Sequence, residues 1–312
     1  MNADQATAPV AASGAVSGDP ILVARDVHRS FGGVRAVSVE HLEVERSSIV
    51  ALIGPNGAGK TTFFNVLTGF EKADGGSWVF EGNELSGKPA YAIARAGMVR
   101  TFQSARVFPR LSVLDNVRLG AQEQRGERLG SALFKWTWRH QEDELAERAA
   151  ELVDWVGLGA KKDDFAGILS GGQRKLLELA RAVMAAPRLL MLDEPMAGVN
   201  PALRQALLEK IAELPGEGIT VLFVEHDMDV VSAVADRVVC MAEGAIIAAG
   251  TAGEVAADEH VIEAYLGASS GDLRDSRNER TNGDRAAEPG AGSAEDTDAT
   301  PDTDATGAGD EE

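Results

Sequence analysis

Gly54-Pro55-Asn56-Gly57-Ala58-Gly59-Lys60-Thr61 is a complete G-x-x-x-x-G-K-[ST] run, placed after the apolar stretch Ile49-Val50-Ala51-Leu52-Ile53 and before a helix-compatible segment. That order restricts the chain to folds in which a buried strand feeds a glycine-rich loop and then a helix. The glycines let backbone N–H groups turn inward on phosphate oxygens, Lys60 reaches the β and γ phosphates, and the Thr61 hydroxyl holds Mg²⁺. A glycine-rich turn that matched the spacing by accident would lack the flanking strand and helix. The segment reads as a nucleotide site.

A chain of 312 residues, 44% hydrophobic and 25% charged, can bury one large core or two lobes of one unit. No apolar stretch approaches the roughly 18 to 20 residues that cross a bilayer. The segment 1–19 lacks the basic start and apolar centre of a secretory signal, so the chain is expected to stay in the cytosol. The formal charge is -19, carried by the body of the chain as well as by its acidic end, and this excludes nucleic acid as the main partner because phosphate contacts need a basic field. The single cysteine, Cys240, falls in the apolar run Val238-Val239-Cys240-Met241 and is expected to be a buried thiol.

Residues 1–19 are rich in Ala, Ser, Gly and Pro, and residues 268–312 in Gly, Ala, Thr and Asp, so both ends are expected to be disordered. The folded part spans 20–267 and contains no internal repeat. It holds one nucleotide cassette, and any second one must come from a partner. Ile21 to Val50 and Gly76 to Gly82 read as β, with turn residues at Gly32-Gly33, which suggests a small antiparallel lobe. From Ser112 the pattern becomes helical: Ser112-Val113-Leu114-Asp115 fits a capping box, and Glu144 to Val156 places apolar residues three and four apart. A helical lobe is thus expected at about 104–186. Apolar strands return at Leu189 to Leu192 and Ile219 to Val224, alternating with helix-like segments, as in a parallel sheet covered on both faces. Thr251-Ala252-Gly253-Glu254 caps what reads as a short final helix, and Val261 to Leu266 ends the fold. The fold class is α/β, a P-loop core with a parallel sheet, an antiparallel β lobe and a helical lobe.

A second anion signal is Leu169-Ser170-Gly171-Gly172-Gln173, where Ser170, Gly171, Gly172 and Gln173 open a helix with small residues that leave backbone donors accessible at its positive end. Two anion sites with one nucleotide cassette make most sense if each completes its partner's. Asp193 ends the apolar run Leu189-Leu190-Met191-Leu192, at a strand tip where a carboxylate can hold Mg²⁺ through water. The adjacent Glu194 can orient and deprotonate the attacking water. His226 follows the strand Val221 to Glu225 and emerges at the same edge, where it is either structural or a hydrogen-bond donor to a γ-phosphate. Gln103, in Arg100-Thr101-Phe102-Gln103, is a surface amide or approaches Mg²⁺ and the water from the helical lobe. Phe31, before Gly32-Gly33, is a core aromatic or a platform for adenine, and the order of motifs favours the platform. Segment Gly120 to Glu142 carries Phe134, Trp136 and Trp138, for packing within the lobe or for a membrane-proximal contact.

With Gly54 to Thr62, Gln103, Leu169 to Gln173, Leu189 to Glu194 and His226 in that order, the chain resembles an ATP-binding-cassette ATPase of the ABC transporter superfamily over about Ile21 to Gly267. Arg100-Thr101-Phe102-Gln103, Arg174-Lys175-Leu176-Leu177-Glu178-Leu179-Ala180-Arg181, Ala197-Gly198-Val199-Asn200-Pro201, Glu225-His226-Asp227-Met228 and Val261-Ile262-Glu263-Ala264-Tyr265-Leu266-Gly267 look like the ATP-binding subunits of branched-chain amino-acid importers. The resemblance implies two cassettes closing head to tail, with ATP and Mg between Gly54 to Thr62 of one and Ser170 to Gln173 of the other. It implies catalysis by Glu194, His226, Gln103 and Lys60, a metal site of Thr61, Gln103 and Asp193, and adenine on Phe31. It also implies permease subunits in the membrane, a second ABC ATPase subunit, an extracytoplasmic solute-binding protein, and a peripheral place on the cytoplasmic face of the membrane. A urea or amide importer, a lipopolysaccharide-type exporter and a soluble ABC protein are the alternatives. Asn200 stands where the wider superfamily usually has Asp.

Overall fold

The computed structural model of the protein describes residues 19–101, 107–122 and 136–266, with side chains described throughout except at 136–141. Among these residues the strands form two sheets. The first is antiparallel, in the order β2-β1-β4-β5, from β1 (Pro20–Phe31), β2 (Val34–Glu45), β4 (Gly75–Phe80) and β5 (Asn83–Glu84). β1 and β2 are joined by Gly32 and Gly33 alone, at φ 53° and 87°, with Phe31 opposite Val34. A two-residue hairpin loop that needs positive φ at both positions explains why the sequence spends two glycines there.

The second sheet runs β10-β9-β3-β8-β7-β6, from β3 (Ile49–Ile53), β6 (Met98–Arg100), β7 (Leu189–Asp193), β8 (Thr220–Val224), β9 (Arg237–Ala242) and β10 (Ala245–Gly250). All its pairings are parallel except β9 with β10, an antiparallel edge. Every residue of β3, β7 and β8 is buried, because helices cover one face and the antiparallel lobe the other. Alternate side chains therefore enter two different cores. Ile49, Ala51 and Ile53 pack with Val221, Phe223, Leu177 and Val231, while Val50 and Leu52 pack with Phe63, Phe64, Trp78 and Phe80.

The helices are α1 (Lys60–Leu67), α2 (Ala90–Arg95), α3 (Val113–Arg118), α4 (Trp136–Trp155), α5 (Gly171–Met184), α6 (Pro201–Glu213), α7 (Met228–Val234) and α8 (Ala252–Ala257). α3, α4 and α5 pack on one another as the helical lobe. Two local expectations need correction. At the start of α3 the Ser112 hydroxyl accepts from Asp115 N at 3.0 Å, but the Asp115 carboxylate accepts from the Ser112 hydroxyl at 2.7 Å and not from the Ser112 backbone N–H. The aspartate is one methylene shorter than the glutamate of a full box, and only half of the reciprocal cap forms. Thr251 does cap α8 in a full box with Glu254, yet α8 is not the last helix. Asp258 breaks out into extended backbone, accepts from His260 N at 2.9 Å, and starts a further helix, α9, at residues 259–266.

The expected disordered ends lie outside the described residues, Asp19 apart. Phe134 and the side chains of Trp136 and Trp138 also lie outside them, as does Gln103.

Candidate functional site

The glycine-rich loop connects β3 to α1, and its crest, Asn56-Gly57, is exposed. Two of its glycines are dictated by close approach. A Cβ on Gly54 would lie 2.1 Å from the Met241 carbonyl oxygen at the end of β9, and one on Gly59 would lie 2.2 Å from the Ala36 carbonyl oxygen of β2. The loop is thus clasped between the two sheets, and the Gly244 N–H also donates to Ala58 O at 3.0 Å. Lys60 is buried, and its Nζ donates to Gly54 O at 2.7 Å and Pro55 O at 2.9 Å. Burial lowers its pKa, against the opposing pull of the Glu194 and Asp193 carboxylates. Phosphate oxygens are stronger acceptors for this ammonium than peptide carbonyls. Thr61 is exposed and Thr62 half-buried on the first turn of α1.

The C-terminal ends of β3, β7 and β8 bring the remaining groups to one edge of the sheet, the edge at which open α/β sheets bind ligands. Asp193 pairs with Val224 across the ladder, so Glu194, Glu225 and His226 follow side by side. Glu194 takes a positive φ of 45°. Glu225, only 1% exposed, accepts from Met196 N at 3.0 Å and from His226 N at 3.3 Å, and burial raises its pKa. Lys175 of α5 is buried beneath this edge, with Nζ 3.5 Å from Glu194 O, and burial lowers its pKa. The His226 ring is largely exposed beside them.

Asp193 is not a bare strand-end carboxylate. Arg100, at the end of the neighbouring strand β6, donates Nη2 to Asp193 Oδ2 at 2.7 Å and Nη1 to Asn65 Oδ1 of α1 at 2.6 Å, with its guanidinium 5.6 Å from the Phe64 ring centroid. Both ends of this ion pair are almost fully buried. In the sequence Arg100 counts only as part of the run Arg100-Thr101-Phe102-Gln103, although a cation closing a strand that leads to Gln103 was a usable signal for a carboxylate partner. Glu225 likewise entered only as part of the run before His226, with no role of its own, and the clue there was its place as the last residue of an apolar strand.

Ser170 caps α5 in a full capping box: Gln173 N donates to Ser170 Oγ at 3.3 Å and Ser170 N donates to Gln173 Oε1 at 3.0 Å. Ser170 and Gly171 are exposed and Gly172 is buried, where a Cβ would meet Leu203 at 2.6 Å. These small residues present an open helix N-terminus to whatever approaches from outside the chain. Phe31 is 45% exposed at the hairpin tip, which removes the reading of it as a core aromatic. Asn200 caps α6, accepting from Leu203 N at 3.0 Å ahead of Pro201, which accounts for an amide at that position within one chain. Cys240 is fully buried beside Ile53, and burial pushes its thiol up to about 11.

The donor set suits magnesium. A hydroxyl on the first turn of α1 and one buried carboxylate, with phosphate oxygens completing the shell, is how Mg²⁺ is usually bound, in contrast to an all-protein cage. Among the described residues no cluster of three or more His, Cys, Asp or Glu forms such a cage.

A phosphate loop, a strand-end acidic pair, a histidine on the adjacent strand and a Ser-Gly-Gly helix start define an ATP-binding cassette. Residues 38–197 match the ABC transporter family, and residues 245–270 match the branched-chain amino acid ATP-binding cassette transporter family. The chain belongs to the ABC transporter family, whose cassettes are ATPases. It is 40% identical over 253 residues to the probable branched-chain amino acid transport ATP-binding protein LivG of Archaeoglobus fulgidus, covering 81% of this chain and 98% of that one. It is 42% identical over 250 residues to the high-affinity branched-chain amino acid transport ATP-binding protein BraF of Pseudomonas aeruginosa, covering 80% and 98%. A solved ATP-binding cassette of an ABC transporter in its ADP conformation superposes with a TM-score of 0.70 at 36% identity, covering 80% of this chain and 99% of that one.

Proposed function

We propose that this chain is the ATP-hydrolysing subunit of a membrane importer for branched-chain or related amino acids. The observation that carries the reading is the match, along 98% of their length, to proteins named for branched-chain amino acid transport. Backbone amides of Gly54 to Gly59, with Lys60, Thr61 and Thr62, would hold the triphosphate, and Phe31 would stack on the adenine. Thr61, Gln103 and Asp193 would hold Mg²⁺, Asp193 through water, and the ion would supply positive charge to offset that of the phosphates. Glu194 would take the proton of the attacking water, and His226 would donate to the γ-phosphate. Ser170, Gly171, Gly172 and Gln173 of a second cassette would close on the same γ-phosphate, so bound ATP bridges two surfaces and hydrolysis removes the bridge.

In this reading the pair of cassettes, of the same or sister chains, sits peripherally on the cytoplasmic face of the membrane. It drives permease subunits through the helical lobe around Arg106 to Asn116, while a solute-binding protein delivers cargo from the other side. Among the described residues no helix is long and apolar enough to cross a membrane. The test is detergent extraction and co-purification, then reconstitution in liposomes. Two permease subunits are expected with the cassettes, and ATP turnover should rise several-fold when the solute-binding protein carries leucine. A purified assembly without permease, or one indifferent to the loaded binding protein, overturns the proposal.

A further inference from the structure

We infer that Arg29 is a positioning residue of the adenine site: its guanidinium backs one face of the Phe31 ring and holds that ring so that a purine stacks on the other. The inference rests on the reading of Phe31 as the adenine platform and adds the part that makes the platform rigid.

Phe31 ends β1 at the tip of the Gly32-Gly33 hairpin, the position in a two-stranded ribbon with the fewest neighbours. An exposed ring there would have to be ordered by its ligand, at the expense of affinity. Arg29 lies two residues earlier on the same strand and so on the same face. Its guanidinium carbon sits 4.5 Å from the Phe31 ring centroid. The cation is fixed in turn. Nη2 donates to Glu71 Oε1 at 2.6 Å, and Nη1 donates to Asp74 Oδ1 at 2.7 Å. The other Asp74 oxygen accepts from Ser30 N at 2.7 Å, between the two residues in question.

This frame reaches the phosphate end of the site. The Glu71 N–H donates to Asn65 O at 3.0 Å, and Asn65 belongs to α1, the helix that begins with Lys60. The surface that would meet the base and the loop that would meet the phosphates are therefore held by one short chain of contacts. Only a planar fork can stand over a ring while serving two carboxylates, so lysine would replace arginine here only in part. A cation behind the ring also draws π density toward itself, leaving the outer face better suited to an electron-rich purine.

The test compares ATP with inorganic tripolyphosphate, which engages the phosphate loop and has no base. Dissociation constants are measured by calorimetry on the full chain without Mg²⁺, so that no turnover intervenes. Arg29→Gln should weaken ATP roughly three- to tenfold and leave tripolyphosphate unchanged, with Arg29→Lys in between. In a Phe31→Ala background, Arg29→Gln should have no further effect on ATP, because its action passes through the ring. Misfolding would lower both ligands together, so tripolyphosphate guards against that reading. If Phe31→Ala itself affects both ligands alike, the platform assignment fails and takes the inference with it. If Phe31→Ala acts on ATP alone but Arg29→Gln weakens both equally, leaves ATP unchanged or tightens it, the inference alone is overturned.

Discussion

The Glu194 N–H donates to the Val224 carbonyl at 3.1 Å while Glu194 itself sits at φ 45°, so the chain leaves β7 in a left-handed turn pinned to the end of β8. A non-glycine residue in that region costs about 1 kcal/mol and persists only where its surroundings dictate it. The turn moves Glu194 out of the alternating side-chain row of β7. Asp193 stays on that strand against Arg100, so the two adjacent carboxylates sit in different surroundings.

Glu194→Gln keeps the backbone turn and the shape of the side chain but removes the basic oxygen. Steady-state ATP turnover should fall by about 10²-fold or more. ATP affinity should be retained, and size-exclusion chromatography with ATP should show a trapped dimer. Normal turnover by this variant would remove Glu194 from the role of base.

Ala186 follows the end of α5 at φ 50°, with its N–H donating to Val183 O at 2.9 Å and its side chain exposed. This is the left-handed residue that closes a helix, a position that favours glycine. Ala186→Gly should therefore stabilise the fold by about 0.5 to 1 kcal/mol, net of the added freedom of the unfolded chain. A domain of this size should show a rise of about 2 °C in thermal midpoint. An unchanged or lower midpoint would mean that Ala186 carries no strain.

Cys240 lies fully buried in β9 next to the last residue before the phosphate loop, and its pKa of about 11 leaves about one thiol in a thousand ionised at pH 8. Iodoacetamide should modify the native chain more than about 100-fold more slowly than a free thiol, with full labelling once urea is added. Prompt stoichiometric labelling of the native protein would show that β9 opens readily.

What could be read from residues alone was whatever depends on local spacing: the phosphate loop, the apolar strands, the Ser170 and Thr251 caps, and the buried Cys240. The α/β architecture with its two lobes followed from the same patterns. Contacts between residues far apart in the chain were not legible. Arg100 meets Asp193 across 93 positions and Arg29 meets Asp74 across 45. Neither pair has a periodic signature, since each arises only when strand order sets β6 beside β7 and β1 beside β4. Asp115 failed as a full cap for a subtler reason, the length of one methylene.

Glu225 offers a prediction whose sign follows from its surroundings. Desolvation raises its pKa most, the Met196 and His226 amides and the His226 ring oppose this, and nearby Glu194 adds to the rise. The native state therefore holds a proton that the unfolded chain releases near the ordinary carboxylate value of about 4.3. Between that pH and the higher native value the folded protein binds more protons, so this residue's contribution to stability declines as pH rises through the window. Glu225→Gln cannot titrate, and any offset from burying an amide between two N–H donors is the same at every pH. Urea unfolding of both proteins from about pH 4 to pH 8 should show the stability of the original chain falling relative to the variant as pH rises. A difference that stays flat, or that grows with pH, would mean the carboxylate is held ionised by its two amide donors and burial does not govern it.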